Sequence, residues 1–164
     1  MAIAGIDLGI AKVAISVLDG DNLHVYVRHS DAASRGNQLF DLATYASVIL
    51  SVWEVPSVFI ESILVGNNSK YSIQLAQTMG AVLSALVSYP VYQVNVGTWK
   101  KEVLGNGSSK KDQVRAWLEA NYPAYAVSCD GDQDSYDATC IALYGQGVLA
   151  RSGLLLEELG PVPH

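Results

Sequence analysis

The sequence predicts an α/β fold: a mixed five-stranded sheet, three antiparallel strands then two parallel ones, flanked by helices. Three observations lead there. The element order reads βββαβαβ and then helices only. Asp19-Gly20 is a strong hairpin signal between two strand-like runs. The later strands alternate with helix-length segments, so they join the sheet in parallel through right-handed crossovers.

Residues 2–8 are a short apolar run ending in Asp7-Leu8-Gly9, a strand by length and β-branched content. Lys12 to Leu18 is the second strand, and Leu23 to Val27 returns after the hairpin turn. From Gly36 to Trp53, residues Leu39, Phe40, Leu42, Ala43, Ala46, Ile49 and Leu50 recur at helical spacing. Pro56 restarts the chain, and Val58-Phe59-Ile60 is a buried strand closed by Glu61. The linker Gly66-Asn67-Asn68-Ser69 precedes a helix over 71–88, and Val91 to Val96 is the fifth strand. Thr98 is placed to cap a short helix ending at Gly105-Asn106-Gly107. Ser108 or Ser109 opens a helix to Asn121, and the last helix runs from about Asp132–Asp134 to Leu149. One domain is expected over 1–152, followed by a C-terminal tail over 153–164.

The chain has 164 residues, 50% hydrophobic and 16% charged. That is ample for one core and excludes an intrinsically disordered chain. Cys129 and Cys140 are too few for a disulfide scaffold and lack CxxC spacing, which suits a reducing compartment. The start, MAIAGIDLG, has no basic n-region, so no signal peptide is expected. Residues 71–99 carry no formal charge, but Gln74, Gln77, Pro90, Gln93 and Asn95 interrupt them. A membrane span needs about 20 predominantly apolar residues. The segment predicts a buried helix followed by a buried strand, and no membrane.

A net charge of −6 argues superficially against a nucleic-acid partner. Distribution matters more than the sum. Five of the ten basic residues (Lys100, Lys101, Lys110, Lys111, Arg115) fall within sixteen positions, and Asp130, Asp132, Asp134 and Asp137 fall within eight. A basic stretch followed by an acidic knot is what metal-dependent phosphate chemistry needs; two solvated faces is the plainer alternative.

Asp7 lies in an otherwise apolar strand and Glu61 closes another, while Asp134 and Asp137 project from one helix face. Singly, each has an ordinary role. Asp7 can satisfy the turn at Gly9, Glu61 can sit on a solvated rim, and the aspartate pair can face a helix macrodipole for about 0.3–1 kcal/mol each. As a set they are more specific. A carboxylate among core residues is costly unless paired or cation-bound. Two like charges ~4 Å apart repel by ~4 kcal/mol at an effective dielectric of about 20. A divalent cation relieves that repulsion, and oxygen ligands without His or Cys point to Mg²⁺ or Mn²⁺ rather than zinc.

Gly5-Ile6-Asp7-Leu8-Gly9, Phe59-Ile60-Glu61-Ser62 and Asp134-Ser135-Tyr136-Asp137-Ala138 resemble the catalytic segments of the RuvC-type Holliday junction resolvases. The stretch from Ser72 to Gly80 resembles that family's helix after the second acid. Lys100 to Gly107, followed by Lys111-Asp112-Gln113-Val114, resembles its basic lysine–glycine–lysine segment. The strand and helix order is that of ribonuclease H-like folds, and the resemblance runs from residue 2 to 145. It implies that Asp7, Glu61, Asp134 and Asp137 bind metal. The implied mechanism is two-metal phosphodiester hydrolysis, with two Mg²⁺ per active site (Mn²⁺ substituting) about 3.5–4 Å apart. Lys100 and Lys111 match positions that bind or polarise phosphate, Lys111 as part of the catalytic set. Lys101, Lys110 and Arg115 are then DNA-backbone contacts or solvated helix residues.

The implied substrate is four-way or branched DNA, cut by paired symmetric nicks, and the implied assembly is a homodimer matching a two-fold junction. The uncharged helix over 71–88, with Ala76, Gly80, Ala81 and Ala85, is either core or part of that interface. Leu64 stands where the family often carries an aromatic wedge, so junction opening or sequence preference is expected to differ. The acidity implies weaker non-specific DNA binding, lost with salt, as in divergent bacteriophage members. The expected location is the cytoplasm of a bacterial or phage-infected cell.

Other readings remain. A ribonuclease H-like nuclease could use the same carboxylates on branched DNA broadly or on RNA–DNA hybrid, and a non-catalytic DNA-binding module could retain the fold. The GIDLG phosphate loop of actin-like kinases needs a duplicated domain for which 164 residues leave no room. His24 and His29 read as structural or surface residues. Asp130 and Asp132 read as loop and cap residues or as reinforcement of the metal field. Tyr122, Tyr125 and Tyr136 read as packing aromatics or base-stacking groups.

Overall fold

Alternation of side chains along each strand builds two cores, one on each face of a single sheet. The computed structural model describes residues 2–63 and 69–153. Leu64, the linker residues 66–68 and the tail from 154 onward lie outside the described residues. The strands are β1 (Ala2–Leu8), β2 (Lys12–Asp19), β3 (Asn22–His29), β4 (Ser57–Glu61) and β5 (Val91–Val94). The helices are α1 (Arg35–Val52), α2 (Ser69–Ala85), α3 (Val96–Leu104), α4 (Lys111–Asn121), α5 (Pro123–Ser128) and α6 (Gln133–Arg151).

The sheet order is β3-β2-β1-β4-β5. β1 and β3 each pair antiparallel with β2, and β1–β4 and β4–β5 are parallel, as the element order predicts. Ala2, Ala4, Ile6, Val58 and Ile60 pack with Leu42, Ala46, Leu50 and Val82 of α1 and α2. Ile3 and Phe59 point the other way, into a second core with Trp99, Leu118, Tyr136 and Ile141. By the same two-residue period, Asp7 and Glu61 fall on the second face, the one α6 covers.

Two glycines set how closely α6 approaches. A Cβ on Gly5 would lie 2.1 Å from the Ala138 carbonyl oxygen, and one on Gly145 would lie 2.3 Å from the Phe59 ring. At Gly5 strand and helix backbones meet, and at Gly145 the helix backbone meets the Phe59 ring; neither approach leaves room for a side chain. Across the adjacent strand, the buried Ser16 and Thr139 hydroxyls share a 2.8 Å hydrogen bond that joins β2 to α6.

Several sequence expectations are corrected. The uncharged region over 71–99 is only partly buried: α2 puts Met79 and Val82 in the core but leaves Ile73 60% exposed, and β5 buries Val94 but leaves Tyr92 44% exposed. β5 is an edge of the sheet, so absence of charge marked elements with one buried and one exposed face. Asn95, not Thr98, caps α3, its side chain accepting from the Gly97 N–H. α4 begins after Lys110, where the Gln113 side chain accepts from the Lys110 N–H, while Ser109 is turned inward. The helix α5 was not predicted; Pro123, at a position that needs no N–H donor, starts it.

Candidate active site

Parallel register between β1 and β4 pairs Ile6 with Ile60, so Asp7 and Glu61 follow side by side at the C-terminal ends of the two central strands. They line one small cleft of about 170 Å³ with Leu8, Ser62, Ile63, Leu75 and Met79. α6 enters over the same face. Its buried Asp137 immediately precedes Ala138, whose carbonyl meets Gly5, and Asp134 lies one turn earlier. Two roomier grooves, about 530 and 400 Å³, lie elsewhere and include none of these four acids.

The carboxylates feel one another. Burial pushes the Asp7 carboxyl well above the usual range, and the charges of Asp137, Glu61 and Asp134 push it further, with Lys111 opposing. Burial raises Asp137 to about 6; the Gln133 hydrogen bond and Lys100 draw it down, Glu61 pushes it up and Lys111 again opposes. Burial likewise raises Glu61, against the Trp99 hydrogen bond and the charges of Lys100 and Lys111. Buried, mutually repelling carboxylates gain most from a multivalent cation.

Three of the acids have holders of their own. Trp99 Nε1–H donates to Glu61 Oε2 at 2.8 Å, and Gln133 Nε2–H donates to Asp137 Oδ1 at 3.1 Å. Lys12 Nζ pairs with Asp134 Oδ2 at 2.7 Å and also bonds Asp132. Asp132 in turn caps α6, accepting from the Ser135 N–H and hydroxyl. Burial works against the Lys12 charge, but the two aspartates more than offset it and raise its pKa. Asp7 has no hydrogen-bond or ion-pair partner among the described residues.

Among the described residues, no three acidic, histidine or cysteine side chains close into a cation cage as they stand. Asp134 is drawn aside to Lys12. The donor chemistry nevertheless fits a hard divalent ion: the candidate ligands are all carboxylates, and those of Asp7, Glu61 and Asp137 are raised by burial.

The basic residues divide. Lys101, Lys110 and Lys111 are exposed, Lys111 opening α4. Lys100 donates to the Ser109 carbonyl at 2.8 Å and so braces the α3–α4 connection. Arg115 is paired with Glu119 at 2.7 Å and lies over the Tyr136 ring. Tyr136 itself is buried, which removes it from base stacking, and Tyr122 and Tyr125 stack on each other. His24 packs against the Trp53 ring.

Residues 3–143 match the profile of the family described as crossover junction endodeoxyribonuclease RuvC. The chain belongs to the RuvC family. A RuvC crossover junction endodeoxyribonuclease of Ralstonia pickettii is 33% identical over 94% of this chain and 90% of its own length. One from Ehrlichia chaffeensis is 33% identical over 66% of this chain and 69% of its own. Thermus thermophilus RuvC in complex with Holliday junction substrate superposes with a TM-score of 0.72 at 20% identity, covering 93% and 96% of the two chains. The yeast mitochondrial Holliday junction resolvase gives 0.61 at 11% identity, covering 93% and 83%. These two likenesses bear on the fold, which is the RuvC fold.

Sequence reasoning missed Trp99, Gln133 and Lys12. Gln133 left a local trace, sitting four residues before Asp137 on the same helix face. Trp99 and Lys12 reach their carboxylates across the fold and left none.

Proposed function

We propose that this protein is a metal-dependent DNA endonuclease that resolves four-way junctions by paired symmetric nicks, acting as a homodimer with two Mg²⁺ per active site. One observation carries the reading: Asp7 and Glu61 end adjacent parallel strands on the face where α6 brings the buried Asp137. No helix among the described residues is long and apolar enough to cross a membrane.

Asp7, Glu61 and Asp137, with Asp134 once released from Lys12, would hold the ions. Bound Mg²⁺ or Mn²⁺ supplies positive charge against the scissile phosphate and acidifies a water for attack. The protein's own groups do the rest. Asp7, without a hydrogen-bond or ion-pair partner among the described residues and with the charges of Asp137 and Glu61 acting on it, would be free to serve as a metal ligand. Lys111 stands at the exposed start of α4 with its charge felt by Asp7, Glu61 and Asp137, placed to meet a phosphate oxygen. Lys101 and Lys110 extend that positive edge along the DNA backbone. The exposed face of α2 beyond Lys70, which carries no charge, would offer the surface for the second subunit.

Incubation with a labelled synthetic junction in Mg²⁺ tests this. Symmetric paired nicks, absent in EDTA and weak on duplex, are expected. Preferential cutting of RNA–DNA hybrid, or junction binding with no cleavage in any divalent metal, would reject it.

A further inference from the structure

α3 places two adjacent side chains on different partners. Lys100 reaches the Ser109 carbonyl, just before Lys110 and Lys111. Trp99 is fully buried, and its indole N–H ends 2.8 Å from Glu61 Oε2. Trp99 belongs to the buried cluster of Ile3, Phe59, Val94, Leu118 and Ile141, and Lys100 Nζ lies 5.4 Å from its ring centroid, so its surroundings fix the direction of its N–H. An indole is a donor only, and its bond to a carboxylate is charge-assisted. Residues that hold metal ligands from behind orient them and tune their basicity.

We propose that Trp99 is a positioning residue for Glu61: its N–H holds one carboxylate oxygen and leaves the other oriented toward the cleft shared with Asp7. The inference rests on the reading of Glu61 as a metal ligand. It makes α3 a strut whose Trp99 sets the carboxylate while Lys100 sets the start of the basic helix.

The substitution Trp99→Phe keeps an aromatic ring and removes the donor. Measured by isothermal titration on the full chain, its Mn²⁺ affinity should fall about tenfold, while junction binding in EDTA stays within twofold of native. Unchanged Mn²⁺ affinity, or a parallel loss of metal-free junction binding, overturns the proposal. A second measurement needs no change at Trp99. Its indole N–H resonance, assigned by elimination with W53F and W117F, should shift on Mg²⁺ addition, and Glu61→Ala should move it and abolish that response. A Trp99 signal identical in native and E61A protein overturns the proposal too. If W99F weakens Mn²⁺ binding but native protein nicks no junction, the proposed function fails and the Trp99 assignment stands.

Discussion

Gly5→Ala is the most exacting test of how the site is assembled. The added Cβ would lie 2.1 Å from the Ala138 carbonyl oxygen and 2.4 Å from the Ala142 nitrogen, whereas real Cβ atoms essentially never come closer than 3.0 Å. Both neighbours are α6 backbone, so no side chain can swing away. The helix or the strand must retreat by at least about 0.9 Å, the difference between 3.0 and 2.1 Å. Overpacking of this kind costs about 1–3 kcal/mol. For a chain of this size that lowers Tm by about 2–12 °C. Function should suffer more. Asp137 immediately precedes Ala138, so the retreat carries it away from Asp7, and a misplacement of about 1 Å can cost about 10²-fold in rate. Initial rates of junction nicking, corrected for folded fraction by circular dichroism and measured below the lowered Tm, check this. A G5A protein that nicks at the native rate per folded molecule would refute the argument that backbone contact at Gly5 sets the carboxylate spacing.

Asp7→Asn should abolish nicking while junction binding in Ca²⁺ persists, and it should raise the Tm of the metal-free protein, because a partly desolvated charge repelled by Asp137 and Glu61 is removed; loss of folding would make Asp7 structural instead. Asp137 is raised to about 6 from an ordinary 3.8, so the folded state holds its proton longer than the unfolded chain. Its contribution, about 3 kcal/mol for that gap, is present below pH 4 and lost as pH rises through 6. Urea denaturation without metal should show that fall, and D137N should flatten it; native stability rising over this window because of Asp137 would contradict the burial argument. Lys111→Ala should lower nicking about tenfold or more with Tm within about 2 °C, since Lys111 is exposed and its role is electrostatic; a large Tm loss with unchanged activity per folded molecule would reverse that assignment.

Much of this protein is written locally. The Asp19-Gly20 turn, the short apolar runs of β1 and β4 and the helical spacing in α1 depend on neighbours in sequence, so the element order and the mixed sheet type follow from them. Asp7 and Glu61 stood out because charge in apolar strands is expensive wherever the chain goes, and Asp134 and Asp137 because their spacing puts them on one helix face. Tertiary structure decided the rest. Residues 71–99 had no charge to reveal whether they were core or surface, and only the sheet order made β5 an edge. Trp99 meets Glu61 across 38 residues and Lys12 meets Asp132 across 120; no local period encodes such a pairing. Gly5 entered the sequence reading only as part of the Gly5-Ile6-Asp7-Leu8-Gly9 segment, and its use is the room it leaves for a helix that begins at residue 133. Periodicity determines which face a residue occupies, but what stands opposite that face depends on the packing of the whole chain.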